Sequence, residues 1–386
     1  MKIALLCSDL HFGGIQKIAL ILAEGLAGMN GLSVDLAVLR GDGDFISMAS
    51  PAVNVVRLNC TSQFLALLFP FSKLARYFRE ARPDVVLSLG HSTNCLAACA
   101  KWLRRFPFRL IVSEHSSFGT RMAADAKFHK WRRVARARFL YRQAEFCVCV
   151  SHGVADELTG LGIVPKEKIR VIYNPVVDSW PADMAKEPPD HLWLREDDGE
   201  RPPVILSAGR LIGLKGLDTL IRAFARLRHE MGIDARLMIL GEGSERRNLE
   251  NLAQTLDVGE DVCFTGYVPN PRAYMKNTAV VALSSHYEGL PNVLIEALSC
   301  GVNVVSTDCK SGPREILEDG RWGRLVPVGD DLAFAAALRD VLAAPLPVGE
   351  LRERAKYFSL ERSVGAYYDV LFEGRENPEA AKDAAP

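Results

Sequence analysis

The chain has 386 residues, 48% of them hydrophobic and 24% charged, and its 47 Lys and Arg balance 47 Asp and Glu. At about 100–200 residues per domain the length points to two domains, and the composition excludes a disordered, collagenous or heptad-repeat chain. Zero net charge excludes a simple nucleic-acid binder, yet residues 1–180 carry a net +9 and residues 181–386 a net −9, so the first half is expected to meet something anionic.

Nine cysteines lie scattered, mostly in apolar runs. An odd number in a chain of this size implies no disulfide framework and a reducing, cytoplasmic compartment. The N-terminal run MKIALLCSDL has one Lys and is too short for a signal peptide. No stretch reaches the roughly 18 apolar residues of a membrane span.

In chain order, Lys2–Cys7 reads as a buried strand and Gln16–Gly25 as a helix after the Gly13-Gly14 turn. Val34–Leu39 is a strand, Lys73–Arg82 a basic helix, and Pro83-Asp84 a breaker before the strand Val85–Ser88. Leu110–Ser113 and Cys147–Ser151 continue the series. Strands alternating with helices mean βαβ units and a parallel, doubly wound sheet. The rhythm breaks at Asp178–Pro203, with five prolines and the charged cluster Arg195–Arg201. A second series follows, with strands at Val204–Ser207, Arg236–Leu240, Val262–Thr265, Val280–Ser284 and Val302–Ser306 and helices at Gly216–Met231 and Arg246–Leu256. The domains expected are 1–180, a linker at 181–203, and 204–360, with a disordered tail at 375–386. The fold class is α/β: two Rossmann-like domains around a cleft, with ligands at the carboxyl ends of strands.

Four motifs carry chemistry. Gly209-Arg210, closing a strand, with Lys215-Gly216 five residues on, suits a diphosphate: Arg supplies a fork and Lys a point charge. The competing reading is a solvated basic loop, and no Gly-x4-Gly-Lys-Ser/Thr loop is present. Next, Glu288-Gly289-Leu290-Pro291 leads into a helix that Pro291 begins and Gly301 ends. The N-terminus of this helix is an anion site. Glu288 and Glu296 would stand ~12 Å apart if the whole stretch were helical, too far for a glycosidase pair at roughly 5–9.5 Å. Two acids near a phosphate site suit hydroxyls, one on a transferred sugar and one on a ribose. Otherwise one acid meets the helix dipole and the other is an exposed helix Glu.

Gly13-Gly14, after the first strand, lets backbone approach a ligand but lacks Gly-x-Gly-x-x-Gly, which disfavours NAD. His115, in Ser113-Glu114-His115 after a strand, faces the expected cleft, although a lone His is more often structural. Gly241-Glu242-Gly243 is a weaker phosphate or base loop. Asp42-Gly43-Asp44 matches a metal-binding Asp-x-Asp, but a glycine turn explains it better and no metal is expected.

Together FGGIQK, SEH, IYNP, SAGRLIGLKG, GEG, FTGYV, SSHYEGLPNVLIEAL and GVNVVSTDCKSGPREIL resemble the retaining glycosyltransferases of family 4, with the GT-B fold. The motifs run in family order over nearly the whole chain. STDCKSGPREIL and NPRAYM resemble the subgroup that builds bacterial lipid-linked glycans, lipopolysaccharide and capsules from UDP-sugars.

The resemblance implies an acceptor-binding first domain and a donor-binding second one. It implies catalytic roles for His115, Glu288, Arg210 and Lys215. Arg210 and Lys215 would neutralise the nucleotide diphosphate, with Gly209 beside them. Glu296 would bind the ribose, and Glu288 the donor sugar with Gly289, Leu290 and Pro291. Gly241, Gly243, Gly266, Tyr267 and Val268 would border the nucleotide. Gly13, Gly14 and Asn174 would lie on the acceptor side, Gly14 also approaching the phosphate. A helix at about 361–374, anchored by Tyr367, Tyr368 and Leu371, would pack back on the first domain.

The expected activity is metal-independent, retaining hexosyl transfer from a nucleotide sugar, UDP-linked rather than GDP-linked, to a glycan or polyprenyl-linked acceptor. No metal, pyridoxal phosphate, NAD or nucleic acid is expected. The alternatives are a sugar-nucleotide epimerase, a pyridoxal-phosphate-dependent phosphorylase or a non-catalytic nucleotide-sugar-binding protein.

Residues 121–142 hold eight Lys and Arg against one acid, with Phe128, Trp131, Ala135 and Phe139 at helical spacing. The apolar run Phe64–Phe71 precedes Lys73, Arg76, Arg79 and Arg82. Both suggest docking of the first domain on an anionic membrane, the inner face of the cytoplasmic membrane. The competing reading is a core-facing stripe with a solvated basic surface.

Overall fold

Strands covered by helices on both faces need no polar alternation, so short continuous apolar runs pair side by side in this chain. A computed structural model of the protein describes residues 1–11, 13–60, 69–119, 127–177, 191–194 and 201–374. Two compact units separate: Met1–Pro175 with the chain from Leu360 onward, and Val176–Ser359.

The first unit holds a seven-stranded sheet in the order β3-β2-β1-β4-β5-β6-β7. Its strands are β1 (Lys2–Cys7), β2 (Ser33–Val38), β3 (Asn54–Arg57), β4 (Val85–Leu89), β5 (Arg109–Glu114), β6 (Phe146–Cys149) and β7 (Ile169–Val171). Every pairing is parallel, with Leu5 of β1 opposite both Leu36 of β2 and Leu87 of β4. The helices are α1 (Gly14–Ala27), α2 (Phe69–Ala81), α3 (His91–Arg104), α4 (Lys127–Tyr141) and α5 (His152–Gly160). Ser151 caps α5 by accepting from the Val154 backbone N–H at 3.3 Å.

The second unit repeats the plan with six parallel strands ordered β10-β9-β8-β11-β12-β13. They are β8 (Val204–Ala208), β9 (Arg236–Leu240), β10 (Val262–Gly266), β11 (Val280–Leu283), β12 (Asn303–Thr307) and β13 (Arg324–Val326). Around them lie α6 (Leu217–His229), α7 (Arg246–Thr255), α8 (Pro271–Met275), α9 (Asn292–Cys300), α10 (Pro313–Ile316), α11 (Asp331–Ala343) and α12 (Val348–Ala355). Ile221 and Phe224 of α6 and Phe334 and Leu338 of α11 are fully buried in one core with Ile205 and Leu237 of the sheet.

The last helix, α13 (Leu360–Phe372), belongs to the first unit. Arg109 Nη1 donates to the Leu371 carbonyl at 2.9 Å, and Ser363 Oγ to the Tyr173 carbonyl at 2.9 Å. Gly25 of α1 admits Val364: a Cβ at Gly25 would lie 2.5 Å from Val364 Cγ2.

Three short edge or near-edge strands, β3, β7 and β13, are not legible in the sequence, because three or four residues of mixed burial carry too little pattern. Pro291 is one position earlier than expected, capping α9 with φ −76° and ψ 92° while Asn292 begins the helix. Gly301 ends it with φ 80°. Within the expected linker, the 191–194 stretch packs on the second unit: Leu194 is buried and His191 Nε2 lies 3.5 Å from Cys263 Sγ. The tail 375–386 and most of 178–200 lie outside the described residues.

Among the described residues no single helix is long and apolar enough to cross a membrane. One bent pair, α11 with Val348–Phe358, has the composition. Its Phe334, Leu338, Leu351 and Phe358 are fully buried, as core helices require.

Candidate functional site

Each sheet reverses its strand order once, between β1 and β4 in the first unit and between β8 and β11 in the second. Ligands of doubly wound sheets bind at the carboxyl ends of strands at such a reversal. In the second unit, β8 runs into Gly209-Arg210 there, and β11 into the loop that carries Glu288.

These two loops are tied together. Ser284 Oγ donates to the Lys215 carbonyl at 2.9 Å, and the His286 backbone N–H to the Leu214 carbonyl at 2.9 Å. Gly216 turns with φ +56°, and a Cβ there would stand 2.3 Å from the Ser284 carbonyl oxygen. The turn and the close approach both require glycine. Lys215 Nζ then meets Glu288 Oε1 at 2.6 Å, and Ser285 Oγ donates to the same oxygen at 2.6 Å. The Lys215 and Glu288 side chains are 23% and 12% exposed, so Lys215 is less open than a solvated basic loop would leave it. Arg210 is exposed and makes no ion pair among the described residues. A small pocket beside them is lined by Ser207, Ala208, Gly209, Arg210, Lys215, Leu217, Ile239, Leu283, Ser284 and Ser285.

The Gly241–Gly243 loop stacks on the Gly209–Leu211 segment, and the Gly266 turn stacks on that loop in turn. The Leu211 backbone N–H donates to the Glu242 carbonyl at 2.9 Å, and that of Gly241 to the Gly266 carbonyl at 2.7 Å. A Cβ on Gly241 would lie 1.9 Å from the Gly209 carbonyl oxygen, and one on Gly243 2.1 Å from that of Leu211. Backbone packing thus accounts for Gly241 and Gly243. Gly266 turns with φ +81° beside Glu242. Tyr267 is 46% exposed and Val268 half-buried.

Gly289, Leu290 and Pro291 are buried at the start of α9. Gly312, which lies inside the STDCKSGPREIL stretch without a role of its own in the sequence reading, supports them. Its φ is +92°, and a Cβ there would stand 2.5 Å from Pro291 Cδ and 3.0 Å from the Gly289 carbonyl oxygen. Glu296 is only 8% exposed, which removes the reading of it as an exposed helix Glu. Cys309 lies in the loop after β12. Burial pushes its thiol up to about 12, and the nearby Glu288 carboxylate adds to that.

In the first unit, Asp9 follows β1 and is 7% exposed. It accepts from Gln16 Nε2 at 3.0 Å, from the His11 backbone N–H at 3.3 Å and from Ser8 Oγ at 2.9 Å. The sequence places Asp9 only at a strand-to-loop junction; the structure adds that its carboxylate is buried and hydrogen-bonded at the carboxyl end of the first strand. Through Gln16 it braces the start of α1, where Gly13 and Gly14 sit. Asp42 and Asp44 flank the His11 ring at 3.6 and 3.5 Å. Among the described residues no group of three or more His, Cys, Asp or Glu could hold a metal ion.

His115 follows β5 and is 8% exposed, and Asn174 is 5% exposed. Behind His115, the buried Glu114 accepts from the Tyr141 hydroxyl and from Asn94 Nδ2 at 3.3 Å, with His91 Nδ1 3.2 Å away. Burial and the Glu114 carboxylate raise the Tyr141 phenol well above its ordinary value, so it remains a donor. Of the sequence candidates, the second unit gathers Gly209, Arg210, Lys215 and Glu288 at one strand reversal. The first unit carries Gly13, Gly14, His115 and Asn174.

The family model described as Glycosyl transferases group 1 matches residues 195–362, and that described as Glycosyltransferase Family 4 matches residues 12–180. An uncharacterized glycosyltransferase of Haemophilus influenzae is 36% identical over 326 residues, spanning 81% of this chain and 82% of its own. A Campylobacter jejuni relative is 29% identical over 348 residues, spanning 88% and 90%. It is named N-acetylgalactosamine-N,N'-diacetylbacillosaminyl-diphospho-undecaprenol 4-alpha-N-acetylgalactosaminyltransferase. Among solved structures, Anabaena Alr3699/HepE in complex with UDP and glucose superposes with a TM-score of 0.78 at 19% identity, covering 96% of this chain and 99% of that one. The lipopolysaccharide outer core galactosyltransferase WaaB in its apo form gives 0.72 at 20% identity, with the same coverage.

Proposed function

Since the chain belongs to the family 4 glycosyltransferases and has the GT-B fold, we propose that it transfers a sugar, with retention, from a UDP-sugar to a glycan or polyprenyl-linked acceptor in bacterial surface-glycan synthesis. The observation that carries this reading is the Lys215–Glu288 pair beside Arg210 at the strand reversal of the second unit. The complex of Alr3699/HepE with UDP and glucose supports the donor class, and the undecaprenol in the name of the Campylobacter jejuni relative supports the acceptor class.

Transfer leaves positive charge on the anomeric carbon and negative charge on the departing diphosphate. Arg210, Lys215 and the N-terminus of α9 stabilise that leaving group electrostatically, in a geometry fixed before the substrate arrives. Side-chain cations thereby do the work a metal ion does elsewhere. Glu288 binds the donor sugar and Glu296 the ribose. Gly266, Tyr267 and Val268 border the base. The bond from the anomeric carbon to the diphosphate oxygen breaks, the acceptor hydroxyl oxygen bonds to that carbon on the same face, which keeps the configuration, and the departing diphosphate oxygen takes the acceptor proton. An epimerase or a non-catalytic binder is disfavoured by the family membership. The test is a thermal-shift screen with UDP, GDP and their sugars, followed by transfer of radiolabelled sugar to lipid extract. Stabilisation by GDP alone, or no labelled lipid or glycan, overturns the donor and acceptor assignments.

The first unit receives the acceptor and docks on the inner face of the cytoplasmic membrane. On α4, Trp131 is 67% and Phe139 45% exposed, with Arg132, Ala135 and Arg136 at least partly exposed beside them. Trp102 and Leu103 at the end of α3 are about half exposed, and the Trp102 ring stands edge-on to Phe139 at 5.2 Å. The described part of the stripe, Trp131, Ala135 and Phe139, is therefore not core-facing. Aromatic side chains between basic flanks suit an anionic bilayer surface. The side chains of the Phe64–Phe71 run and of Phe128 lie outside the described residues.

A further inference from the structure

Three buried polar groups meet beside β5. His115 Nε2 lies 3.0 Å from Ser113 Oγ, and Ser113 Oγ lies 3.2 Å from the Tyr367 hydroxyl. Ser113 is fully buried and Tyr367 is 2% exposed. Tyr367 stands on α13, 254 residues further along the chain.

Proton accounting orders this chain of groups. Burial raises the Tyr367 phenol far above neutral pH, so it keeps its proton. A buried O–H needs an acceptor, because leaving it unmade forfeits its hydration. Among the described residues the hydrogen-bond neighbour of that phenol is Ser113 Oγ, so Tyr367 donates there. Among the described residues the single proton of the Ser113 hydroxyl then has one acceptor in reach, His115 Nε2. A ring nitrogen that accepts carries no proton, and a neutral imidazole then holds its proton on Nδ1. The opposite order, with Nε2–H donating to Ser113 Oγ, strands the Ser113 proton.

We infer that Ser113 and Tyr367 are positioning residues that hold His115 as the neutral Nδ1–H tautomer, making it a hydrogen-bond donor to a substrate oxygen and not a general base. The inference rests on the reading of His115 as a residue of the transfer site. It agrees with a mechanism in which the leaving diphosphate, and not a side chain, takes the acceptor proton. It also gives α13 a part in the site that its distance in sequence conceals.

The test is a long-range proton–nitrogen correlation spectrum of the full-length protein labelled with 15N-histidine, with His115 assigned by its loss in His115→Gln. The wild type is expected to show a protonated Nδ1 and a bare Nε2. Ser113→Ala removes the donor to Nε2 and is expected to move the ring toward the Nε2–H form. It should also lower kcat about two- to tenfold, the net worth of one hydrogen bond, with the donor KM little changed. Ser113→Thr keeps the hydroxyl and is expected to restore both. Ser113→Ala with Tyr367→Phe leaves no orphaned phenol, so it serves if the single variant folds poorly. A wild-type Nε2–H ring, or a tautomer unchanged in the folded double variant, overturns the inference whatever the activity. An Nδ1–H ring with full turnover in His115→Gln overturns the transfer-site reading of His115 instead.

Discussion

Lys215 Nζ and Glu288 Oε1 lie 2.6 Å apart, joined across 73 residues of sequence by the parallel pairing of β8 with β11. The pair holds the ammonium in place before any ligand arrives, and Ser285 Oγ shares the same carboxylate oxygen. A diphosphate that engages Lys215 would share it with Glu288, so under the proposed function the two residues are expected to act on the donor as one unit.

Lys215→Ala and Arg210→Ala are each expected to lower kcat by about 10²–10³, the scale of losing one preorganised donor to a developing anion. Because Lys215 and Glu288 touch, Lys215→Ala with Glu288→Ala should fall short of the sum of the single losses, by about 0.5–3 kcal/mol. Steady-state kinetics on the four members of the cycle measure this, and strict additivity would show that the contact has no part in transfer.

Glu296 is buried in the second turn of α9 and is expected to act on affinity more than on turnover. A ribose contact is equal in ground and transition states, so Glu296→Gln should raise the UDP dissociation constant while kcat holds. Removing a hydrogen bond to a charged group is worth about 1.5–3 kcal/mol, or roughly ten- to a hundredfold. Calorimetry with UDP checks it: wild-type affinity in the variant would remove the ribose role.

Gly312→Ala should disturb the start of α9, since the new Cβ meets Pro291 Cδ at 2.5 Å on a backbone with φ +92°. Gly329→Ala is the control, because Gly329 has φ +79° but open space around its Cβ position. A left-handed non-glycine residue costs about 1–3 kcal/mol. Both variants should lose that much in denaturant unfolding, and Gly312→Ala should lose UDP affinity as well.

The Cys309 and Cys7 thiols are both pushed up to about 12 by burial, with Glu288 and Asp9 respectively adding to it. Thiols in the unfolded chain ionise near 9, so between about pH 9 and pH 12 the native state binds more protons than the unfolded one. Their contribution to stability is therefore complete below pH 9 and declines as pH rises through that window. At pH 8 a thiol reagent should leave Cys7 and Cys309 unmodified in the native protein and label both in denaturant, as peptide mass mapping would read. Rapid native labelling of Cys309 would contradict its burial beside Glu288.

The exposed stripe on α4 predicts salt-sensitive binding to anionic liposomes. Each Lys or Arg near the leaflet contributes about 1 kcal/mol, so changing Arg132 and Arg136 together to Glu should abolish sedimentation with anionic vesicles. Trp131→Ala with Phe139→Ala should weaken it at every salt concentration. Equal binding to neutral and anionic vesicles by the wild type would refute the docking.

The sequence by itself determined the architecture and singled out the residue types of the candidate site. Strands such as Lys2–Cys7 and Arg236–Leu240 are legible because a doubly covered strand is apolar nearly throughout, and Arg210, Lys215 and Glu288 stand out because they follow strands at the carboxyl ends where such sheets bind ligands. Tertiary structure decided what depends on contacts distant in sequence. Only the pairing of β8 with β11 brings Lys215 onto Glu288, only the fold buries Glu296, and only α13 carries Tyr367 to Ser113. Gly312 shows the same limit: its need for glycine comes from Pro291 pressing on it, a neighbour that no local pattern reveals. Local propensity acts over a few residues, whereas the protonation and position of a site side chain are set by whatever atoms lie within about 3 Å of it.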